Sequence, residues 1–119
     1  MPIPDDYRPF VNELGTATRN GTVVWKVSQS SVETSLAGLL VRMHAGLDEQ
    51  ENEEFVSFVL YDPLLPTREG ELDRWWLSEG DADYEAAFQL VESARRSARN
   101  VPQKIAALRE ALRKKSDTP

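Results

Sequence analysis

The feature that most constrains the fold is where along the chain apolar residues have the spacing of a helix and where they have the spacing of a strand. Apolar residues recur at helical spacing near both ends, whereas over about residues 22–62 they follow the period of β-strands. Strands in the centre and helices at the ends favour an α+β layer, in which helices cover one face of a small antiparallel sheet. We predict three to four strands, covered by an N-terminal helix and two C-terminal helices.

The length of the chain is that of one domain. With 119 residues it lies near the modal domain size and can bury a core without help from a metal or a disulfide. We therefore predict a single domain over residues 1–119, with an ordered core over about 5–114 and a frayed tail over 115–119.

The first third of the chain predicts a helix and then a strand. Apolar residues from Tyr7 to Leu14 recur at helical spacing, and Asn20-Gly21 is a signal for the end of a helix. The β-branched and aromatic segment Thr22–Val27 predicts the first strand. The polar segment Ser28–Thr34 predicts a connection.

The centre of the chain predicts a hairpin. Two strands of alternating pattern are predicted at Leu36–His44 and Phe55–Asp62, and the charged tract Gly46–Glu54 between them predicts a turn. Prolines end the second of these strands. We interpret Glu71–Ser78 as a fourth strand in preference to a helical turn.

Two helices are predicted in the last third. The longer one begins at Asp81 or Asp83 and carries acids in its first turn and arginines in its last, as the helix dipole favours. The segment Asn100-Val101-Pro102 breaks or kinks it. A final helix follows, and its apolar side consists of Ile105, Leu108 and Leu112.

Charge is divided unevenly along the chain. Thirteen of the twenty acidic residues lie between Asp48 and Glu85, together with two arginines. Eight of the fourteen basic residues lie between Arg95 and Lys115, together with one acid. Such separated charge can join two parts of one fold, two copies of a chain, or a chain and its partner. The net charge of −6 argues against nonspecific nucleic-acid binding by the whole surface.

The chain lacks the residue patterns of the common catalytic and cofactor sites. It has no cysteine, which excludes thiolate chemistry, and its six glycines never have the spacing of a phosphate-binding loop. For His44, the only histidine, a surface position in a strand is favoured over a catalytic one. The acidic tracts at 48–54 and 81–92 lack the glycine of a calcium loop. We predict no enzyme activity, no metal and no cofactor.

Trp75 and Trp76 are the first candidates for a binding site. Adjacent residues of a strand point to opposite faces, so at most one of the two tryptophans enters the core. The other is either an exposed anchor for a partner or a side chain that lies beneath the loop at 62–70.

The arginines at the end of the long predicted helix are the second candidates. Arg95, Arg96 and Arg99 are suited to an acidic partner or to nucleic acid. In the alternative that we favour, they complement the helix dipole and pair with the acidic middle of the chain.

A set of positions spanning about 10–112 also matches a known arrangement. The set comprises Leu14, Thr18-x-x-Gly21-x-x-x-Trp25, the strands 36–41 and 55–62, the helix Leu90–Ala98, Val101, Ile105, Leu108 and Leu112. In these positions the chain resembles a small uncharacterised bacterial domain, a domain of unknown function. The resemblance implies a compact helix–β-meander–helix domain of bacterial origin and carries over no catalytic residue. The segment Asp62–Ser78 departs from that family's pattern.

Together these patterns predict a non-enzymatic protein-interaction module that binds a second copy of itself or a protein partner. Its surface would consist of the tryptophan pair and the C-terminal helices. The alternative is a nucleic-acid-binding accessory protein that uses the basic segment Arg95–Lys115. Because no segment approaches the roughly 20 apolar residues of a membrane span, we expect a cytoplasmic protein without a membrane partner.

Overall fold

The computed structural model describes residues 3–116, which form four helices and one five-stranded antiparallel sheet. The helices are α1 (Arg8–Arg19), α2 (Thr67–Gly70), α3 (Tyr84–Ala98) and α4 (Val101–Ser116). The strands are β1 (Lys26–Ser28), β2 (Ser31–Leu36), β3 (Leu39–Asp48), β4 (Glu53–Tyr61) and β5 (Glu71–Ser78). They pair in chain order, so the sheet is a meander. The predicted α+β class with an antiparallel sheet is confirmed, but the sheet has more strands than predicted.

A turn inside an apolar run accounts for the extra strand. The segment Leu36–His44, predicted as one strand, contains the end of β2, a two-residue turn and the start of β3. The turn residues Ala37 and Gly38 have φ of 53° and 77°, the left-handed pair that joins hairpin strands. Alanine rarely adopts this conformation, and therefore the sequence carried no turn signal here.

The predicted connection Ser28–Thr34 was also wrong, because most of it belongs to β2. Val32 and Thr34 point inward and are buried, while Ser31, Glu33 and Ser35 face outward. The outward residues are polar because no described helix covers that face of β2. A single buried valine in a polar run is too weak a pattern to predict a strand.

The first strand is shorter than the predicted Thr22–Val27 because side-chain hydrogen bonds take the place of part of its backbone hydrogen bonding. The indole Nε1 of Trp25 donates to Thr18 Oγ1 at 2.9 Å, and the hydroxyl of Thr34 donates to the carbonyl oxygen of Val24 at 2.7 Å. These bonds hold the segment against α1 and β2, and only Lys26–Ser28 pairs as a strand.

The remaining predicted elements are confirmed with small shifts. The third predicted strand is β4, and Glu71–Ser78 is a strand, β5. Helix α1 ends at Arg19, followed by Gly21 with φ of 74°, and the helices α3 and α4 are separated at Asn100 with φ of 57°. Lys115 and Ser116 are helical, and residues 117–119 of the predicted frayed tail lie outside the described residues.

Helices α1 and α3 cover one face of the sheet, and the core lies between these layers. The side chains of Phe58 and Trp75 stack there with ring centroids 4.8 Å apart and an interplanar angle of 6°, and Tyr7 packs edge-on against both rings. The largest fully buried side chains are Phe58, Met43, Leu77, Val32, Val41, Val56 and Val91.

An ion pair joins the start of α1 to the start of α3. Arg8 donates to both carboxylate oxygens of Asp83, at 3.0 and 2.9 Å, and the backbone N–H of Ile3 donates to the same carboxylate. The hydrogen bonds from Arg8 and Ile3 lower the pKa of Asp83 below its usual value. Asp83 does precede the first residue of α3, as predicted, but its side chain binds α1 and makes no cap hydrogen bond.

Helix α4 does not cover the sheet, which corrects the prediction that both C-terminal helices do. Within Val101–Ser116, all of which the structure describes, no residue is buried. The helix packs against α3 and extends the molecule to a longest dimension of 62 Å. The radius of gyration of 17.3 Å exceeds the roughly 13–14 Å of a compact domain of this length.

The two adjacent tryptophans provide a matched test of this fold. Trp75 is 3% exposed and Trp76 is 58% exposed, so we expect Trp75→Ala to lower the free energy of unfolding by about 3–5 kcal/mol. Trp76→Ala should lower it by less than about 1 kcal/mol. Urea denaturation measures both values. If Trp75→Ala does not fold, Trp75→Phe should still cost more than Trp76→Phe; equal costs would contradict this assignment of the two faces.

Candidate functional site

The face of the sheet opposite α1 and α3 carries an unusual mixture of aromatic and charged side chains. His44, Phe55 and Trp76 point to this face, and none of the three is fully buried. Arg42 and Glu33 pair across two strands at 3.1 Å on the same face. The segment after β4 reaches only one end of it, where Gly70 lies against the ring of Tyr61. Trp76 is the most exposed of these aromatic side chains, at 58%.

A groove lies at the end of this face where β3 and β4 meet. Its apolar part is formed by Leu47, Phe55 and Trp76, and its volume is about 580 Å³. Leu47 is 55% exposed and Trp76 is 58% exposed, so two large apolar side chains of the groove lining are in contact with solvent. Four carboxylates and one hydroxyl complete the lining: Asp48, Glu49, Glu51, Glu53 and Ser78. We call this site the acidic groove.

Hydrogen bonds of the β3–β4 turn position these acids. The carboxylate of Asp48 accepts the backbone N–H groups of Gln50 and Glu51, at 3.0 and 3.4 Å, which closes the turn. Glu54 points away from the groove's lining and accepts the hydroxyl of Tyr84 in α3 at 3.2 Å. Burial and this bond raise the pKa of Tyr84 to about 12. The turn is therefore tied to the helical layer beneath it.

A glycine opposite Phe55 makes room for the aromatic side chains. Gly46 pairs with Phe55 across the two strands, and a Cβ at Gly46 would lie 2.8 Å from His44 Nε2 and 3.0 Å from Phe55 Cζ. His44 packs edge-on against Phe55 and its Nδ1–H donates to the carbonyl oxygen of Ser30 at 3.0 Å. In this position His44 supports the aromatic wall of the groove.

The structure separates the two tryptophans predicted as binding residues. Trp75 lies in the core, where its buried Nε1–H has no hydrogen-bond partner among the residues that the structure describes. Trp76 lies in the acidic groove. Of the two interpretations of the exposed tryptophan, its 58% exposure agrees with an anchor position, because the loop at 62–70 packs on Tyr61 instead.

The three arginines predicted as binding residues lie outside the acidic groove. Arg95 donates to Glu92 at 3.2 Å and to the backbone carbonyl oxygens of Ala45 and Ser30 at 3.3 and 3.4 Å, so its guanidinium fastens α3 to the sheet. Arg96 lies in a polar cleft between the end of α1 and the start of α4. Arg99 is exposed at the end of α3. The structure thus gives Arg95 a packing role and leaves Arg96 and Arg99 on the surface.

The acidic groove contains residues that the sequence patterns did not single out. Leu47 lies in the charged tract that predicts a turn. Phe55 lies in a predicted strand, and the strand pattern does not indicate that its side chain faces a binding site. The cross-strand register places Phe55 on the same face as Trp76, with Phe55 opposite Ser78 and Trp76 opposite Ser57. Leu47 lines the groove from the end of β3, where it pairs with Glu54. This register is set by turns whose residues the sequence did not define. Among residues 3–116, no group of three or more histidine, cysteine or acidic side chains is arranged to hold a metal ion. Within the same range, no helix is long and apolar enough to cross a membrane.

Quenching of tryptophan fluorescence tests the geometry and charge of the groove. Trp25 and Trp75 are each 3% exposed, so an ionic quencher should reach mainly Trp76. Because four carboxylates line the same groove as Trp76, caesium should quench the dilute protein more strongly than iodide does, once the quenching by each ion is divided by its quenching of free indole. Trp76→Phe is the control and should remove most of the quenching. A preference for iodide, or quenching that persists in the control variant, would contradict the site.

No protein-family model matches this chain, and no curated protein and no solved structure matches it either. The resemblance to an uncharacterised bacterial domain therefore stays a prediction.

Proposed function

We propose that this chain is a non-enzymatic protein-interaction module whose acidic groove binds a basic amphipathic segment of a partner protein. The observation that carries the proposal is Trp76, a large aromatic side chain that is 58% exposed on the sheet and lines a groove together with four carboxylates. Tryptophan is among the residues that most often dominate the energy of a protein interface. The expectation of a cytoplasmic location stays part of this proposal.

The chemistry of the groove selects its occupant. The apolar surface of Leu47, Phe55 and Trp76 favours a segment with large aliphatic side chains, because burying them removes apolar area from water. The surrounding acids favour lysine or arginine at the edges of that segment. An amphipathic helix presents both features on one side, with aliphatic anchors at positions i, i+3 and i+7 and basic residues beside them.

A designed peptide that carries only these features tests the proposal. The probe is a fluorescently labelled helix of leucine and lysine with leucines along one side, and fluorescence anisotropy measures its binding to the full chain. We expect saturable binding that weakens as salt rises. Trp76→Ala should weaken it about 30-fold, since truncation of an interface hot spot costs about 2 kcal/mol or more.

Two peptides and one variant serve as controls for this test. A peptide of the same composition in scrambled order has no apolar side, and one with glutamate in place of lysine has the wrong charge, so neither should bind. The variant Glu13→Lys changes an exposed acid on α1 and should leave binding unchanged. Equal binding of all three peptides, or no effect of Trp76→Ala, would overturn the proposal.

Nucleic-acid binding by α4 is the second candidate, because every basic side chain of this helix is exposed. Phosphate contacts by these residues predict affinity that falls steeply with salt and with Lys104→Glu/Arg109→Glu. The variant Leu108→Ser/Leu112→Ser should leave such binding unchanged. Mobility shifts with short DNA and RNA at low salt measure both effects, and the absence of any shift would rule out this candidate.

A further inference from the structure

Helix α4 carries an exposed apolar stripe that its own chain leaves in contact with water. Ile105, Leu108 and Leu112 lie on one side of the helix and are 42, 64 and 65% exposed. Val101 continues this stripe at the end that packs against α3. Exposure rises along the helix away from α3, so the last two turns have little support from the rest of the molecule. A helix this polar and this short is only marginally stable in water by itself.

Basic residues border the stripe on both sides. At 3.6 residues per turn, Arg109 and Arg113 lie along one edge, and Lys104 and Lys115 lie along the other. The whole helix contains five basic residues against one acid, Glu110, which pairs with Arg113. The stripe therefore has aliphatic anchors at i, i+3 and i+7 with positive charge beside them.

The acidic groove has the complementary features. Its apolar lining of Leu47, Phe55 and Trp76 matches the aliphatic stripe, and its four acids match the four-charge excess of α4. The α4 of the same chain does not line the groove. It continues from α3, which packs on the other face of the sheet, so within one chain the two complementary surfaces stay apart.

We propose that α4 of one copy docks in the acidic groove of a second copy, so that two chains exchange their C-terminal helices. The inference rests on the proposed function and names the partner of the same groove. The exchange is reciprocal, so each dimer contains two identical helix-in-groove contacts related by a two-fold axis. A stable interface buries at least about 1,200 Å² in total. Two contacts halve the area that each one has to bury.

Charge reversal tests the exchange on the full chain. Light scattering should give a mass of twice 13.5 kDa at low salt and 13.5 kDa at high salt, because salt screens the paired charges. Glu49→Lys/Glu51→Lys changes the groove, and Lys104→Glu/Arg109→Glu changes the helix. None of the four residues makes a side-chain contact in the described structure that the fold needs. Each variant alone should dimerise about tenfold or more weakly than the unchanged chain.

Mixing the two variants supplies the decisive result. One then has a neutral groove and a basic helix, and the other an acidic groove and a neutral helix. A mixed pair keeps one contact between an acidic groove and a basic helix, which neither variant can form with itself, so the heterodimer should form more readily than either homodimer. Glu13→Lys is the matched control and should dimerise like the unchanged chain. Failure of the mixture to associate would overturn the exchange, as would masses that grow beyond two copies with concentration.

The outcomes also separate this inference from the proposed function. A chain that is monomeric at every salt concentration but binds the leucine–lysine peptide overturns the exchange and leaves the interaction module standing. A monomeric chain that does not bind the peptide overturns both. Dimers that persist unchanged in both reversed variants show association through another surface and overturn the exchange alone.

Discussion

The structure depends on the covering of one sheet face by two helices, held by the contacts of Trp75 and by the pair Arg8–Asp83. A five-stranded meander has two faces, and among the described residues the long helices α1 and α3 pack against the same one of them. Asn100, in a left-handed conformation, then turns the chain, so α4 leaves the body instead of covering the second face. The exposure of Trp76 and the exposure of the α4 stripe are two consequences of this single arrangement. A sheet covered on one side leaves apolar surface that a partner can cover.

The sequence predicted the elements whose hydrophobic period is long and unbroken. Helices α1, α3 and α4 were predicted from their apolar spacing, and β4 from alternation and the prolines that follow it. The segment of β5 was interpreted as a strand in preference to a helical turn. The failures were local. Ala37-Gly38 forms a left-handed turn that alanine normally avoids, so β2 and β3 were merged. Polar residues on the open face hid β2, because an uncovered face of a sheet imposes no apolar pattern on its outward side chains.

The candidate site was predicted only in part, for a related reason. The sequence indicated that one of Trp75 and Trp76 must face outward, but strand alternation alone does not decide which one. The acids at 48–53 were visible as a charged tract, whereas their position around Trp76 depends on the register of three strands and on a turn closed by Asp48. For Arg95, the sequence indicated the charge but not the groups that it binds. Its charge suggested a binding surface, but its guanidinium is used on backbone carbonyl oxygens inside the fold.

The central claim is that α4, beyond its contact with α3, has no packing partner in the described part of its own chain, and amide hydrogen exchange tests it most directly. Exchange rates report how often each segment opens, and a helix without packing opens far more often than one in the core. In a dilute sample at high salt, the amides of α4 should exchange much faster than those of α3. As concentration rises at low salt, protection should appear together in α4 and in the strand ends around Leu47 and Trp76. Protection of α4 as strong as that of α3 in the dilute sample would contradict the account.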